Sequence, residues 1–586
     1  MKGFPKTSVI LIIFIGLFCV ACQSETSRRV QNIETFARLY GYARWFHPSD
    51  EAQQIDWDKF AVLGVQKVEN IQSNRELRDV LYQLFSPIVQ GLQIFETNRP
   101  QKFNLDILSS PDPNAKPVAW QHYGVYLGVH PDFHKSKRIN RDEGRLFDQM
   151  PQFGEVINEP IGRNLTAIVP LTLLTNNSAT YPKSEASSLA WLKSEIDNIQ
   201  LGSEFNMQAN LASVVIVWNV LQHFFPYFDV IDTDWNSVFT QTLKNTLANK
   251  TRQDFYVTLS QMTAQTKDGH GWIELERMYH LPIRTEFIEN QIVITASENT
   301  ALQKGDIIKS IDGKPVMRAL AEKERIIFGS PQLRRHLALS ILGSGFDLRE
   351  VNIVIEREER RQDVTVQNSS AGFKFFNPVN EQFSHWNERI IEIESGIFYV
   401  NMRNSTEEDF RQKIDLLAGA KAVIYDQREL GLLTFFHIIP HLTEKPVMSP
   451  YMLVPQTIYP NRKAVEFYTH TWRMQPRQPL FNSKTIIINS PAIMSSGETT
   501  MSIIDHYNLA VTVGETTAGC NGGRNQINTP SGYTVGWTGM KVLKHDGSQH
   551  YLIGYAPDYP IRRTIQAVRE GRDEALEKAL EIARRR

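Results

Sequence analysis

Two residue types in this chain stand where chemistry would need them. "SPAIMSSGETTMSIIDHY", Ser490–Tyr507, sets Ser495 and Ser496 between a strand-like apolar stretch and a helix-like one. A turn from strand to helix calls for small residues. A nucleophilic serine wants the same place, exposed at a helix N-terminus whose N–H groups and dipole can hold an oxyanion. A neutral hydroxyl is a poor nucleophile unless a base takes its proton, and an imidazole suits that task. His270, in "TKDGHGWIEL", is the candidate base, set against the plainer role of a turn residue between a helix and a strand. No HExxH-like partner accompanies it, so metal-dependent chemistry is a weak reading, and neither a metal nor a cofactor is expected.

Those residues need a scaffold. The chain has 586 residues, 41% of them hydrophobic, which suits several globular domains. Its 63 basic and 64 acidic residues balance, so no charge-driven partner such as a nucleic acid follows. Three cysteines imply no disulfide framework. "MKGFPKTSVILIIFIGLFCVACQS" has two lysines, an apolar run and Ala21 before Cys22. It resembles a bacterial lipoprotein signal, with Cys22 as the lipidated residue, an ordinary cleaved signal being the alternative. Either reading makes the protein exported, and the first places it in the cell envelope on a membrane anchor.

The first half carries a duplication. "ARWFHPSDEAQQIDWDKF" and "LQHFFPYFDVIDTDWNSVF" share a pattern, and Pro48 to Pro226 and Trp57 to Trp235 are both 178 positions apart. Equal offsets without a gap favour a repeated unit. Each copy opens with an apolar-periodic helix and continues into another, near 59–69 and 237–248. The same offset sets Gly91 and Leu92 of the first copy against Gly269 and His270 of the second. Between the copies, "GVYLGV" and "LTAIVPLTL" alternate as strands do, and "SEASSLAWLKSEIDNI" reads as a helix.

"ALQKGDIIKSIDGKPVMRAL", flanked by short apolar strands, resembles a PDZ domain over 281–368, which implies a peptide groove at a sheet edge. The last 200 or so residues alternate strands and helices, as an α/β core does. "GIFYV", "KAVIYD", "KTIIIN" and "LAVTVG" are the strand candidates. The expected fold is α/β multidomain. A signal spans 1–22, a helical unit 30–95 and a β-rich domain 96–185. A second helical unit carrying His270 spans 205–275, the PDZ-like module 281–368 and the core 385–586.

The order "DGH", PDZ-like module, "SSGE", "VGETTAG", "GYAPD" resembles the tail-specific (C-terminal-processing) serine peptidases, in the style of their tricorn-like branch, over 206–586. The resemblance implies a ClpP/crotonase-like core and peptide-bond hydrolysis through a Ser-His acyl-enzyme mechanism on peptide or protein substrates. It makes Ser495, three residues before Glu498, the nucleophile, with Ser496 as runner-up. Where the tail-specific branch keeps a lysine base, this chain has Cys520, whereas the tricorn-like branch uses a histidine in a "DGH" turn, here His270. An unperturbed imidazole would titrate near about 6.5. The glutamate that orients the histidine in that branch is replaced by Tyr551, leaving Tyr551, His550 and Asp546 as candidates for that task. The implied oxyanion donors are the N–H groups of Ser496 and of Gly431, in "DQRELGLL", where Asp426 and Arg428 read as an ion pair. A catalytically inactive peptide- or ligand-binding relative of the same fold is the alternative function.

Overall fold

The computed structural model describes residues 6–124, 135–140, 144–176, 178–202, 204–274, 276–370, 389–429 and 431–585, with side chains from residue 25 onward. It is a mixed α/β protein of two compact units, as expected for the fold class. One unit comprises Met1–Met262, Val454–Tyr468 and Asn525–Gly539; the other comprises Thr263–Leu453, Thr469–Arg524 and Met540–Arg586. The side chain of Cys22, and residues 125–129 of "GVYLGV", lie outside what is so described. Among the described residues, no helix is long and apolar enough to cross a membrane.

The first unit contains both copies of the repeated pattern. Helix α1 (Lys6–Phe46) precedes α2 (Trp57–Val68), and α3 (Met207–Phe224) precedes α4 (Trp235–Ala248). Both second helices begin two residues earlier than the pattern suggests, because an aspartate caps each. Asp56 accepts from the N–H groups of Asp58 and Lys59, and Asp234 from those of Asn236 and Ser237. An acidic cap satisfies otherwise orphaned N–H groups and complements the helix dipole. The two copies meet where Asn219 of α3 donates to Ala37 O at 2.9 Å. Gln93–Glu96, Leu165–Pro170 and Val156–Gly162 form an antiparallel sheet, and Lys116–Tyr123 pairs with Lys135–Asn140 and Leu173–Thr175.

Among the described residues, three histidines are buried in this unit, and their partners favour neutral tautomers. His47 Nδ1 donates to Pro170 O at 2.9 Å, while its Nε2 accepts from Gln90 N at 3.2 Å. His122 Nε2 donates to Trp45 O at 2.8 Å, and His223 Nδ1 accepts from Asn461 N at 3.0 Å. Burial pushes His47 and His122 down to about 4 and His223 well below its usual value. The unfolded chain protonates these groups below about 6.5, while the folded chain resists until much lower pH. The unfolded state therefore binds more protons in that window, and stability falls with falling pH by up to about 1.4 kcal/mol per pH unit at each site. Thermal denaturation between pH 7 and 5 should show a steep drop in Tm, flattened in His122→Gln. A level Tm across that range would contradict the buried neutral state.

The second unit is built on a six-stranded sheet. Its order is β6 (Ile390–Glu394), β7 (Ile397–Asn401), β8 (Ala422–Asp426), β9 (Lys484–Asn489), β10 (Val511–Gly514) and β11 (Tyr559–Pro560). Only the β6–β7 pair is antiparallel. Parallel strands are covered on both faces and so read as continuous apolar runs. Val423 and Tyr425 pack on one side with Met501, Ile503 and Ile504. Ala422 and Ile424 pack on the other with Leu576, Ala579 and Ile582 of the last helix, Glu574–Arg584.

Before this core stands a β-rich module. β1 (Ile283–Ile288), β2 (Gln291–Ser297), β3 (Ile307–Ile311), β4 (Glu350–Arg357) and β5 (Arg360–Gln367) are its main strands, joined antiparallel. Asp312 and Gly313 both take positive φ, 48° and 72°, as a tight hairpin turn requires. Helix α5 (Pro331–Ser340) packs on the edge strand, where Thr285 Oγ1 donates to Leu339 O at 3.1 Å. At its other end, Ser330 caps α5 and donates to Ala518 O at 2.6 Å. The module thereby braces the loop that runs beneath Ser495.

Candidate active site

Strand β9 ends at Asn489, and a short turn leads into helix α6 (Ser496–Tyr507), for which Ser495 is the N-cap. The Ser495 backbone is at φ 57° and ψ −123°, a conformation that non-glycine residues rarely adopt. Holding it costs on the order of 1–3 kcal/mol, and such strain clusters at functional sites. A sharp, strained strand-to-helix turn is also how a nucleophilic serine is presented above an α/β sheet. The turn is held from behind: Ser495 N–H donates to Cys520 O at 2.7 Å, and Ser495 O accepts from Thr499 N at 3.0 Å. Ser496 is exposed, and its N–H belongs to the first helical turn, where N–H groups lack intrahelical acceptors.

Glu498 is fully buried on the same turn. One carboxylate oxygen accepts from Thr517 Oγ1 at 2.5 Å and Gly519 N at 2.7 Å; the other accepts from Cys520 N at 2.6 Å. His550 Nε2 stands 2.7 Å from that second oxygen. A buried carboxylate is tolerable only when so many donors meet it. Glu498 thus fastens the 517–520 loop under α6, and with it the Cys520 carbonyl that holds Ser495.

His270 reaches the same loop from the other side. Its backbone N–H donates to Asp268 Oδ1 at 3.0 Å, and Gly271 N donates to Asp268 O at 2.8 Å, making a tight turn. A Cβ at Gly269 would lie 2.5 Å from Cys520 Cβ, so only glycine lets the two segments approach this closely. A nitrogen of His270, a carboxylate oxygen of Asp268 and Cys520 Sγ lie within 4.8 Å of one another, all three residues buried. Burial pushes His270 down to about 3, helped by the Arg524 cation and by His550. The imidazole is therefore neutral, the form a base requires.

The structure thus brings Ser495, Ser496, His270 and His550 around Cys520 and Glu498. Tyr551 is buried here too, but its hydroxyl donates to Thr266 O at 3.0 Å, bracing the chain that leads to the Asp268–His270 turn. Asp546 is exposed in a turn, where it accepts from Ser548 N at 2.9 Å. A Cβ at Gly431 would lie 2.2 Å from Met402 O, a close approach that only glycine allows. Arg428 makes paired hydrogen bonds to both Asp426 and Asp573, a structural cluster. The sequence reading missed Asp268. Its signal was present in "DGH", two residues before the histidine.

Residues 396–561 match the sequence profile of Peptidase family S41. No match is found among curated proteins. Among solved structures, mature CPAF is similar with a TM-score of 0.53 and 13% identity, over 64% of this chain and 96% of that one. Mature CPAF complexed with lactacystin gives a TM-score of 0.53 and 14% identity, over 64% and 98%. The photosystem II D1 C-terminal processing protease gives 0.36 and 13%, over 60% and 93%. At these identities the likeness to the two CPAF structures is one of fold alone.

Proposed function

We propose that this protein is a serine peptidase in which Ser495 is the nucleophile and His270 the general base. The observation that carries the reading is the strained Ser495 turn, hydrogen-bonded to the same Cys520 whose thiol lies beside His270. The match of residues 396–561 to a peptidase family supports it. In this mechanism His270 takes the Ser495 proton as Oγ attacks the carbonyl carbon of a peptide bond. The Ser496 N–H and the α6 dipole stabilise the oxyanion that forms. The C–N bond then breaks, the amine leaves with the proton from His270, and water hydrolyses the acyl-enzyme with His270 again as base. The Asp268 carboxylate, close to the imidazole, offsets the positive charge that His270 gains at each step.

The test is labelling by a serine-directed fluorophosphonate followed by peptide mapping. One adduct on Ser495, lost in His270→Ala, is the expected result. An adduct elsewhere, or none on folded protein, would refute the proposal.

A further inference from the structure

Asp268, His270 and Cys520 offer a carboxylate oxygen, an imidazole nitrogen and a sulfur, mutually within 4.8 Å and buried. Bonds of about 2.0–2.3 Å to tetrahedral zinc put ligand atoms about 3.3–3.8 Å apart, so a modest inward shift would complete such a site. The two segments are already held together. Gly269 packs on the Cys520 side chain, Cys520 N–H is fixed by Glu498, and Tyr551 fixes Thr266. A thiolate with an imidazole and a carboxylate favours zinc over magnesium or calcium, and three protein ligands leave a fourth position for water.

We infer that this cluster is a binding site for a thiophilic divalent cation, zinc foremost, and that its occupation inhibits the enzyme. Binding replaces the Cys520 thiol proton, which passes to solvent, while Asp268 binds as carboxylate and His270 through a neutral nitrogen. An imidazole whose lone pair is given to a metal cannot take the serine proton. The inhibition rests on His270 being the base; the binding does not.

Cobalt(II) is the probe, titrated into metal-free full-length protein and followed by its thiolate-to-metal charge-transfer absorption. Wild type and Ser495→Ala should each bind one cobalt with that band, and zinc should displace it. The band should persist when Cys19 and Cys22 are both replaced by serine. It should vanish in Cys520→Ser, and it should weaken or vanish in His270→Ala and in Asp268→Asn, each checked for folding by circular dichroism. Absence of the band in wild type, or its persistence unchanged in Cys520→Ser or His270→Ala, would overturn the site. Zinc at concentrations that displace cobalt should also abolish peptide hydrolysis. Full activity with the site occupied would remove His270 as base and leave the metal site standing.

Discussion

Ser495→Ala is expected to lower kcat for peptide hydrolysis by four to six orders of magnitude while leaving the fold intact. The size follows from the way a nucleophile and its base act as one unit, where loss of either forfeits about 10^4–10^6. Intact folding follows from the contacts Ser495 makes. Its hydrogen bonds to Cys520 O and from Thr499 N are backbone bonds, which alanine keeps. Alanine suffers the same strain at φ 57°, so Tm should shift by no more than a few degrees. Ser496→Ala keeps the N–H that faces the oxyanion and removes only an exposed hydroxyl, so it should cost less than about tenfold. Kinetics on both variants with one peptide substrate decide the matter. Should Ser496→Ala be the dead variant and Ser495→Ala the active one, the nucleophile moves by one residue and the strained turn loses its functional explanation.

Much of the scaffold for that serine was legible in the chain. "KAVIYD" and "KTIIIN" read as strands because a parallel strand covered on both faces must be apolar at every position. The turn at Ser495 followed from where the second of those runs stops. Its strain did not, because nothing in "MSSGE" reports φ. The two capping aspartates were visible as part of the duplication, yet their task was not, and the helices start at Trp57 and Trp235 for that reason. The repeat also misleads locally: Gly91 needs its positive φ of 82°, whereas Gly269 is a glycine because of Cys520. Glu498 was legible only as a spacing mark. Its work depends on Thr517, Gly519 and Cys520, brought back by the strand that follows α6. The family pattern offers Tyr551, His550 and Asp546 as orienting groups. A further carboxylate, that of Asp268, stands within 4.8 Å of a ring nitrogen of His270, two residues upstream of it.

His270→Ala should cost as much as Ser495→Ala, and the double variant little more, since each loss already disables the pair. The pH dependence separates this reading from its rivals. A base acts when unprotonated, and burial lowers the His270 pKa to about 3, far from the 6.5 of a hydrated imidazole. Its working form therefore survives into acid. A base titrating at about 6.5 would lose roughly tenfold in kcat/KM between pH 7.5 and 5.5, whereas His270 in this setting should lose less than about twofold. The comparison belongs where Tm shows the chain still folded, because the buried histidines of the other unit destabilise it in the same range. An acid limb at 6.5 would mean that water reaches the imidazole in the working enzyme. A lysine base is the sharper rival. Lys541 lies in a short strand paired with Met452–Leu453, and the ammonium of Lys544 sits 5.1 Å over the Tyr555 ring. Near-normal turnover in His270→Ala together with none in Lys541→Ala would replace the Ser-His pair by a Ser-Lys dyad. Loss in His270→Ala with Lys541→Ala within a few fold of wild type leaves the imidazole as the base, at the position from which Asp268 can steady its charge.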